Sequence, residues 1–112
     1  MKKVLGFIIV LFCGVQVAHA GGAIEGKVVK IAIDTTYATA KAFVTVSGDK
    51  SNSPACHTNT SWSFALPLVT DLDRSVYAML LSAHATGKTT ILEGRGLCEV
   101  HGSIETLTYI KH

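Results

Sequence analysis

The chain has 112 residues, of which 10 are Lys or Arg and 8 are Asp or Glu, and 48% of the residues are hydrophobic. This length allows one domain at most, which excludes a multidomain enzyme. The charged fraction of 16% is low and apolar residues are plentiful, which argues against intrinsic disorder. These totals combine two segments of different character, and the first of them carries all of the net charge.

Residues 1–20 have the pattern of a signal peptide. Lys2 and Lys3 form a basic start, an apolar run follows from Val4 to Val17, and Ala18-His19-Ala20 is an A-x-A cleavage site. The run is about 14 residues long, whereas a membrane span needs about 20. We therefore predict cleavage after Ala20, a single domain over residues 21–112, and export to the periplasm or secretion from the cell. We expect no membrane span once the signal is removed.

Removal of the signal changes the charge of the protein. Lys2 and Lys3 account for the whole net charge of +2, because residues 1–20 contain no acidic residue. The remaining chain is neutral, and a neutral chain is a poor candidate for phosphate-driven binding of nucleic acid or for electrostatic binding to membranes. We predict that nucleic acid is not a partner.

Two cysteines remain after cleavage, Cys56 and Cys98. An even number in an exported protein indicates a disulfide, which would stabilise the fold by about 4 kcal/mol in the chain-entropy account. The alternative is a metal site in which His57 and His101 join the two cysteines as ligands. Adjacent Cys and His are not usual ligand spacing, and an oxidising compartment favours the disulfide. We predict the disulfide, no metal and no cofactor.

The first half of the mature chain predicts three strands. Ile24 to Asp34 alternates, with one face formed by Val29, Ile31 and Ile33. After a turn at residues 34–36, Ala40 to Ser47 alternates again, with one face formed by Ala42, Val44 and Val46. A polar loop follows over residues 47–60. Ser61 to Leu66 predicts a short third strand, with one face formed by Trp62, Phe64 and Leu66.

The second half predicts a helix and two strands. Thr70 is a candidate N-cap with Asp73 three residues later, and Gly87 supplies the left-handed residue that ends the helix. The apolar face of this helix is formed by Leu72, Val76, Met79, Leu80 and Ala83. Residues 88–94 and 104–111 predict the last two strands. The order β-β-β-α-β-β is that of a mainly β, five-stranded OB-like barrel, and an α+β sheet covered by one helix is the alternative.

No catalytic motif is recognisable in the sequence. There is no G-x-S-x-G elbow, and the histidines are scattered. The first hairpin turn carries Thr35, Thr36 and Tyr37, whose hydroxyls can hydrogen-bond a sugar while the aromatic ring stacks on its apolar face. An ordinary polar turn is the alternative interpretation. We take these three residues as candidate ligand-binding residues and expect that the protein is not an enzyme.

The order of several motifs resembles a known family. Cys56, the Trp62-x-Phe64 pair, a helix, the Ala85-Thr86-Gly87-Lys88 step into a strand, and Cys98 are similar to the second half of the small B subunits of subtilase-cytotoxin and pertussis-like bacterial toxins. They also resemble a wider set of short exported bacterial proteins. The resemblance implies an OB-fold, a homo-oligomeric ring of five, and binding of host glycans. It transfers no site residue to this chain.

The sequence therefore leads to a functional hypothesis with two alternatives. The leading hypothesis is a non-catalytic exported binding module, of the kind found as oligomeric glycan-binding toxin subunits. The first alternative is a small periplasmic structural or protein-interaction protein without a ligand. The second is an enzyme or metal protein that uses the Cys and His pairs.

Overall fold

The computed structural model describes residues 21–112, so the predicted signal peptide and its cleavage site lie outside the described residues. The elements are, in chain order, β1 (Ala23–Asp34), β2 (Lys41–Val46), β3 (Phe64–Pro67), α1 (Asp71–Thr86), β4 (Thr89–Gly94) and β5 (Leu107–Lys111). This confirms a mainly β fold in which five strands and one helix follow the predicted order.

The five strands form one antiparallel sheet in the order β3-β2-β1-β4-β5. The long first strand is shared, because its first part pairs with β4 and its second part pairs with β2. Strands β3 and β5 are the edges, and the sheet is not closed into a barrel. Only an isolated parallel bridge between Ala65 and Thr106 joins the two edges within residues 21–112, and there the Ala65 N–H donates to the Glu105 carbonyl at 2.9 Å.

A bulge in β1 changes which of its residues face the core. The register against β2 shifts between Val28 and Lys30, so Val29 is an extra residue and 52% of its surface is exposed. Val28 is buried instead, and Ile31 packs against the core from the next position on the same face. The prediction that Val29 shares a face with Ile31 and Ile33 was wrong, because the extra residue of a bulge reverses the alternation of all residues after it.

The sheet is covered on both faces at β2 and β3. The predicted face of β2 is confirmed, since it lies in a core cluster that contains Ala42, Val44, Val46, Phe64, Leu66, Leu80 and Leu92. On the opposite face, Phe43 is also buried, in a second cluster with Ala65 and Ile104. Trp62 precedes β3 and packs against this second cluster. The prediction that Trp62 shares a face with Phe64 and Leu66 was therefore wrong.

The ends of the helix are as predicted. The Thr70 hydroxyl accepts from the Asp73 N–H at 3.1 Å, and the Asp73 carboxylate accepts from the Thr70 N–H at 3.0 Å. Gly87 adopts the left-handed conformation with φ 69°, and its N–H donates to the Ala83 carbonyl. Such a capping box satisfies N–H groups that the first helical turn leaves without partners.

The apolar face of the helix is shorter than predicted. Leu80 and Ala83 are buried and Val76 is partly buried against the core, but Leu72 is 73% exposed and Met79 is 38% exposed. The prediction failed for Leu72 because the helix residues that pack against the core begin only at the second turn, with Val76. Within residues 21–112, no helix is long and apolar enough to cross a membrane.

Candidate functional site

A pocket of about 360 Å³ opens beside the turn between β1 and β2. Its walls come from three parts of the chain and comprise Tyr37, Ala38, Thr39, Lys41, Pro67, Glu99 and Val100. This volume is within the range of about 300–1,000 Å³ that is typical of small-molecule sites. We refer to it as the Tyr37 pocket.

The turn that carries the predicted binding residues is fixed by a local hydrogen bond. The Thr36 N–H donates to Oδ1 of Asp34 at 2.8 Å. Hydrogen bonding from Thr36, through its side chain and then its backbone, holds the pKa of Asp34 below its usual range. Thr35 and Thr36 are exposed but do not line the pocket, whereas Tyr37 does. The structure thus places one of the three predicted residues in the pocket.

Tyr37 begins a row of ring contacts along the outer face of β2. Its ring meets the ring of His101 edge-on at 5.8 Å, and His101 meets Phe43 edge-on at 5.1 Å. Phe43 in turn lies 5.7 Å from Trp62. We call Tyr37, His101, Phe43 and Trp62 the aromatic row. It connects the pocket to the second hydrophobic cluster, so the position of Tyr37 depends on buried packing.

Each end of the aromatic row carries a lysine. The Lys41 ammonium lies 3.9 Å from the centroid of the Tyr37 ring, and the Lys30 ammonium lies 4.5 Å from that of Trp62. A cation over an aromatic face at such distances is attracted by the negative face of the ring. Lys41 therefore covers one face of Tyr37, and its charge also lines the pocket.

The predicted disulfide is present and holds the far wall of the pocket. Cys56 and Cys98 are bonded, with 6.1 Å between their Cα atoms. The three residues after Cys98 supply Glu99 and Val100 to the pocket and His101 to the aromatic row. Sequence reasoning missed Glu99 and Val100 and considered His101 only as a metal ligand, although their place directly after a bridged cysteine marks a segment that the covalent bond would fix.

The alternative metal site is not formed by the residues that suggested it. The two cysteines bind each other, and His101 packs between aromatic rings. Nδ1 of His57 accepts a hydrogen bond from the Glu105 N–H at 2.9 Å. Across residues 21–112, no group of three or more His, Cys, Asp or Glu side chains is arranged to hold a metal ion.

The pocket combines hydrogen-bond donors and acceptors with an aromatic ring. Lys41 donates, Glu99 accepts, and the hydroxyls of Tyr37 and Thr39 do both. The lining contains no cysteine, serine or histidine. The arrangement is suited to hold a small polyhydroxylated molecule by several hydrogen bonds.

Comparisons with known proteins give no similarity on which to base a function. No family model matches the chain, and no curated protein or solved structure does so either.

Proposed function

We propose that this chain is a non-catalytic exported binding module that holds a glycan in the Tyr37 pocket. The observation that carries this proposal is that one pocket is lined by Tyr37, which is 42% exposed, together with Thr39, Lys41 and Glu99. The Lys41 ammonium lies over the Tyr37 ring, and the Glu99 carboxylate is paired with Arg95 at 3.3 Å. A sugar presents adjacent hydroxyls that both donate and accept, and C–H surfaces that pack on a ring. The disulfide is compatible with an oxidising exported location.

The proposed scaffold is an OB-like barrel. Two features support it: β1 is shared between the two halves of the sheet, and the parallel bridge between Ala65 and Thr106 brings the edge strands together. In a partly open barrel of this kind, ligands bind on an outer strand face and in adjacent loops. The Tyr37 pocket has this position, next to the β1–β2 turn. A homo-oligomer that presents several such pockets belongs to the same proposal.

The test is binding of the chain beginning at Gly21 to a glycan array, followed by titration of each positive glycan. Tyr37→Ala removes both the ring and its hydroxyl, and we expect at least a tenfold loss of affinity. Tyr109→Ala is the matched control, because Tyr109 is a tyrosine of nearly equal exposure, 43% against 42%, and does not line the pocket. Equal losses in both variants, or no glycan bound by the parent chain, would contradict the proposal.

A second candidate is a protein-interaction module without a small ligand. It is favoured by the exposed apolar side chains at the start of the helix, where Val69 is 54% and Leu72 is 73% exposed. Such side chains, when contiguous, mark surfaces for partners. Under this candidate the parent chain binds no glycan, Leu72→Ser abolishes co-purification of a partner, and Tyr37→Ala leaves co-purification unchanged.

A further inference from the structure

A carboxylate is completely buried at the entry to β5. Glu105 has no exposed surface, and its Oε2 accepts hydrogen bonds from the N–H groups of Gly22 and Gly96, both at 2.9 Å. The ammonium of Lys50 lies 2.8 Å from Oε1. A buried charge is tolerated only when it is paired and hydrogen-bonded. Here the partners come from three separate parts of the chain: the N–H groups of Gly22 and Gly96 and the ammonium of Lys50.

Lys50 is a constrained partner for this carboxylate. Its ammonium also donates to the Ser63 carbonyl at 2.8 Å and lies 4.2 Å from the centroid of the Phe64 ring. Burial lowers the pKa of Lys50, and the opposing pull of Glu105 only partly offsets this. A second cation near Glu105 would therefore stabilise the buried negative charge further.

The start of the described chain lies against the same carboxylate. A Cβ on Gly21 would collide with Oε2 of Glu105, and one on Gly22 would lie 2.8 Å from Oε1. The backbone nitrogen of Gly21 is attached to the same Cα as that imagined Cβ. Standard bond lengths then put this nitrogen within about 5 Å of Oε2. In the uncleaved chain it is the neutral amide nitrogen of the Ala20–Gly21 bond.

We propose that cleavage after Ala20 turns this nitrogen into a second cation for Glu105, so that removal of the leader completes a buried ion cluster. Water supplies a hydroxyl to the Ala20 carbonyl carbon and a proton to the Gly21 nitrogen as the bond between them breaks. The immediate products are an acid and an amine, and transfer of the acid proton through solvent to the amine leaves the Ala20 carboxylate and the Gly21 α-ammonium. This inference rests on the predicted cleavage and is independent of the glycan proposal.

The charges around the new amine have opposite effects. Glu105 attracts the ammonium, Lys50 repels it, and His57 is held neutral as a hydrogen-bond acceptor from the Glu105 N–H. An unperturbed α-amino group has a pKa of about 7.7–8.0. Glu105 lies within about 5 Å of the amine and Gly21 is only partly buried, so we expect the folded protein to keep its ammonium to higher pH than an unfolded chain.

The first test compares chains that differ by one residue at the start. One begins at Gly21, and the other begins at Ala20, which moves the amine away without changing its chemistry. Each is made with Glu105 and with Glu105→Gln. We expect the added residue to lower Tm when Glu105 is present and to leave Tm unchanged in the Glu105→Gln pair. Equal shifts in both pairs would overturn the proposal.

A second measurement does not depend on the folding of the Glu105→Gln variant. In the chain beginning at Gly21, ¹³C-labelled glycine reports the titration of the α-amine through the Cα shift of Gly21. A pKa above about 8.0 supports the proposal, and a value at or below it overturns the proposal. Mass spectrometry of the exported protein gives its first residue, and a start other than Gly21 would also overturn it.

Discussion

The backbone N–H of Glu105 donates a hydrogen bond to Nδ1 of His57 at 2.9 Å. This bond requires a lone pair on Nδ1, so the imidazole is neutral and its proton is on Nε2. Burial, and then the charge of Lys50, lower the pKa of His57, while Glu105 and a hydrogen bond with the Asn59 backbone act in the opposite direction. The ring therefore joins the disulfide-bridged loop to the segment that leads into β5 only in its neutral form.

Stability should consequently fall when His57 is protonated. Because the folded pKa lies below the unfolded value of about 6.5, the unfolded chain binds more protons between the two pKa values. The free energy of unfolding then rises with pH through this window and is fully present above about pH 6.5. In urea unfolding at several pH values, His57→Asn, which accepts but does not titrate, should flatten this slope. His112→Asn is the control, and an unchanged slope in His57→Asn would refute the assignment.

Gly94 is the site of a second prediction. A Cβ at this position would overlap the carboxyl group of Glu105, which two N–H groups and Lys50 hold in place. We expect Gly94→Ala to destabilise the fold by about 1–3 kcal/mol, because the carboxylate must move away from its partners. Gly102→Ala is the matched control, since a Cβ there meets nothing within 4 Å. Equal free energies of unfolding for the two variants would show that the carboxylate relaxes freely.

The disulfide should matter for both stability and binding. Replacing Cys56 and Cys98 together with Ala should reduce the free energy of unfolding by about 2–5 kcal/mol. It should also weaken ligand binding, because the segment that supplies Glu99 to the pocket loses its covalent tether. Thermal unfolding with and without reductant checks the first part. Reductant should lower Tm of the parent chain and leave that of the double variant unchanged.

Two leucines of the helix give opposite expectations. Leu80 has no exposed surface, so Leu80→Ala should cost about 2–5 kcal/mol through lost burial and the cavity that remains. Leu72 is 73% exposed, and Leu72→Ala should change stability by less than about 0.5 kcal/mol. Urea unfolding of both variants measures the difference. A substantial loss for Leu72→Ala would mean that its side chain is covered in solution, as in an oligomer.

Local sequence signals predicted the order of elements and the bounds of the helix. Thr70 begins the helix and Gly87 ends it, each through interactions within a few residues, so both roles can be predicted from the sequence. The bulge at Val29 was not readable, because an extra residue in one strand is defined only against its partner strand. The same limit applies to Trp62, whose face depends on where β3 begins.

The candidate site was predictable only in part. Tyr37 was identified from its place in a polar turn, but Thr35 and Thr36 point to no common site with it. Glu99 and His101 come from a segment more than fifty residues away, which the disulfide and the Phe43 contact bring to the turn. The burial of Glu105 could not be predicted from the sequence, because a lone acidic residue in a strand pattern ordinarily faces solvent.

The approach of the two edge strands has a consequence for self-association. An exposed edge offers unpaired N–H and C=O groups to a strand of another molecule, which is a common route to aggregation. Here β3 has only four residues and ends at Pro67, which has no N–H to donate, and the Ala65 N–H is already bonded to the Glu105 carbonyl. A foreign strand thus finds little to pair with along β3. The β3 edge is therefore a poor template for pairing with another molecule as long as residues 104–106 stay beside it.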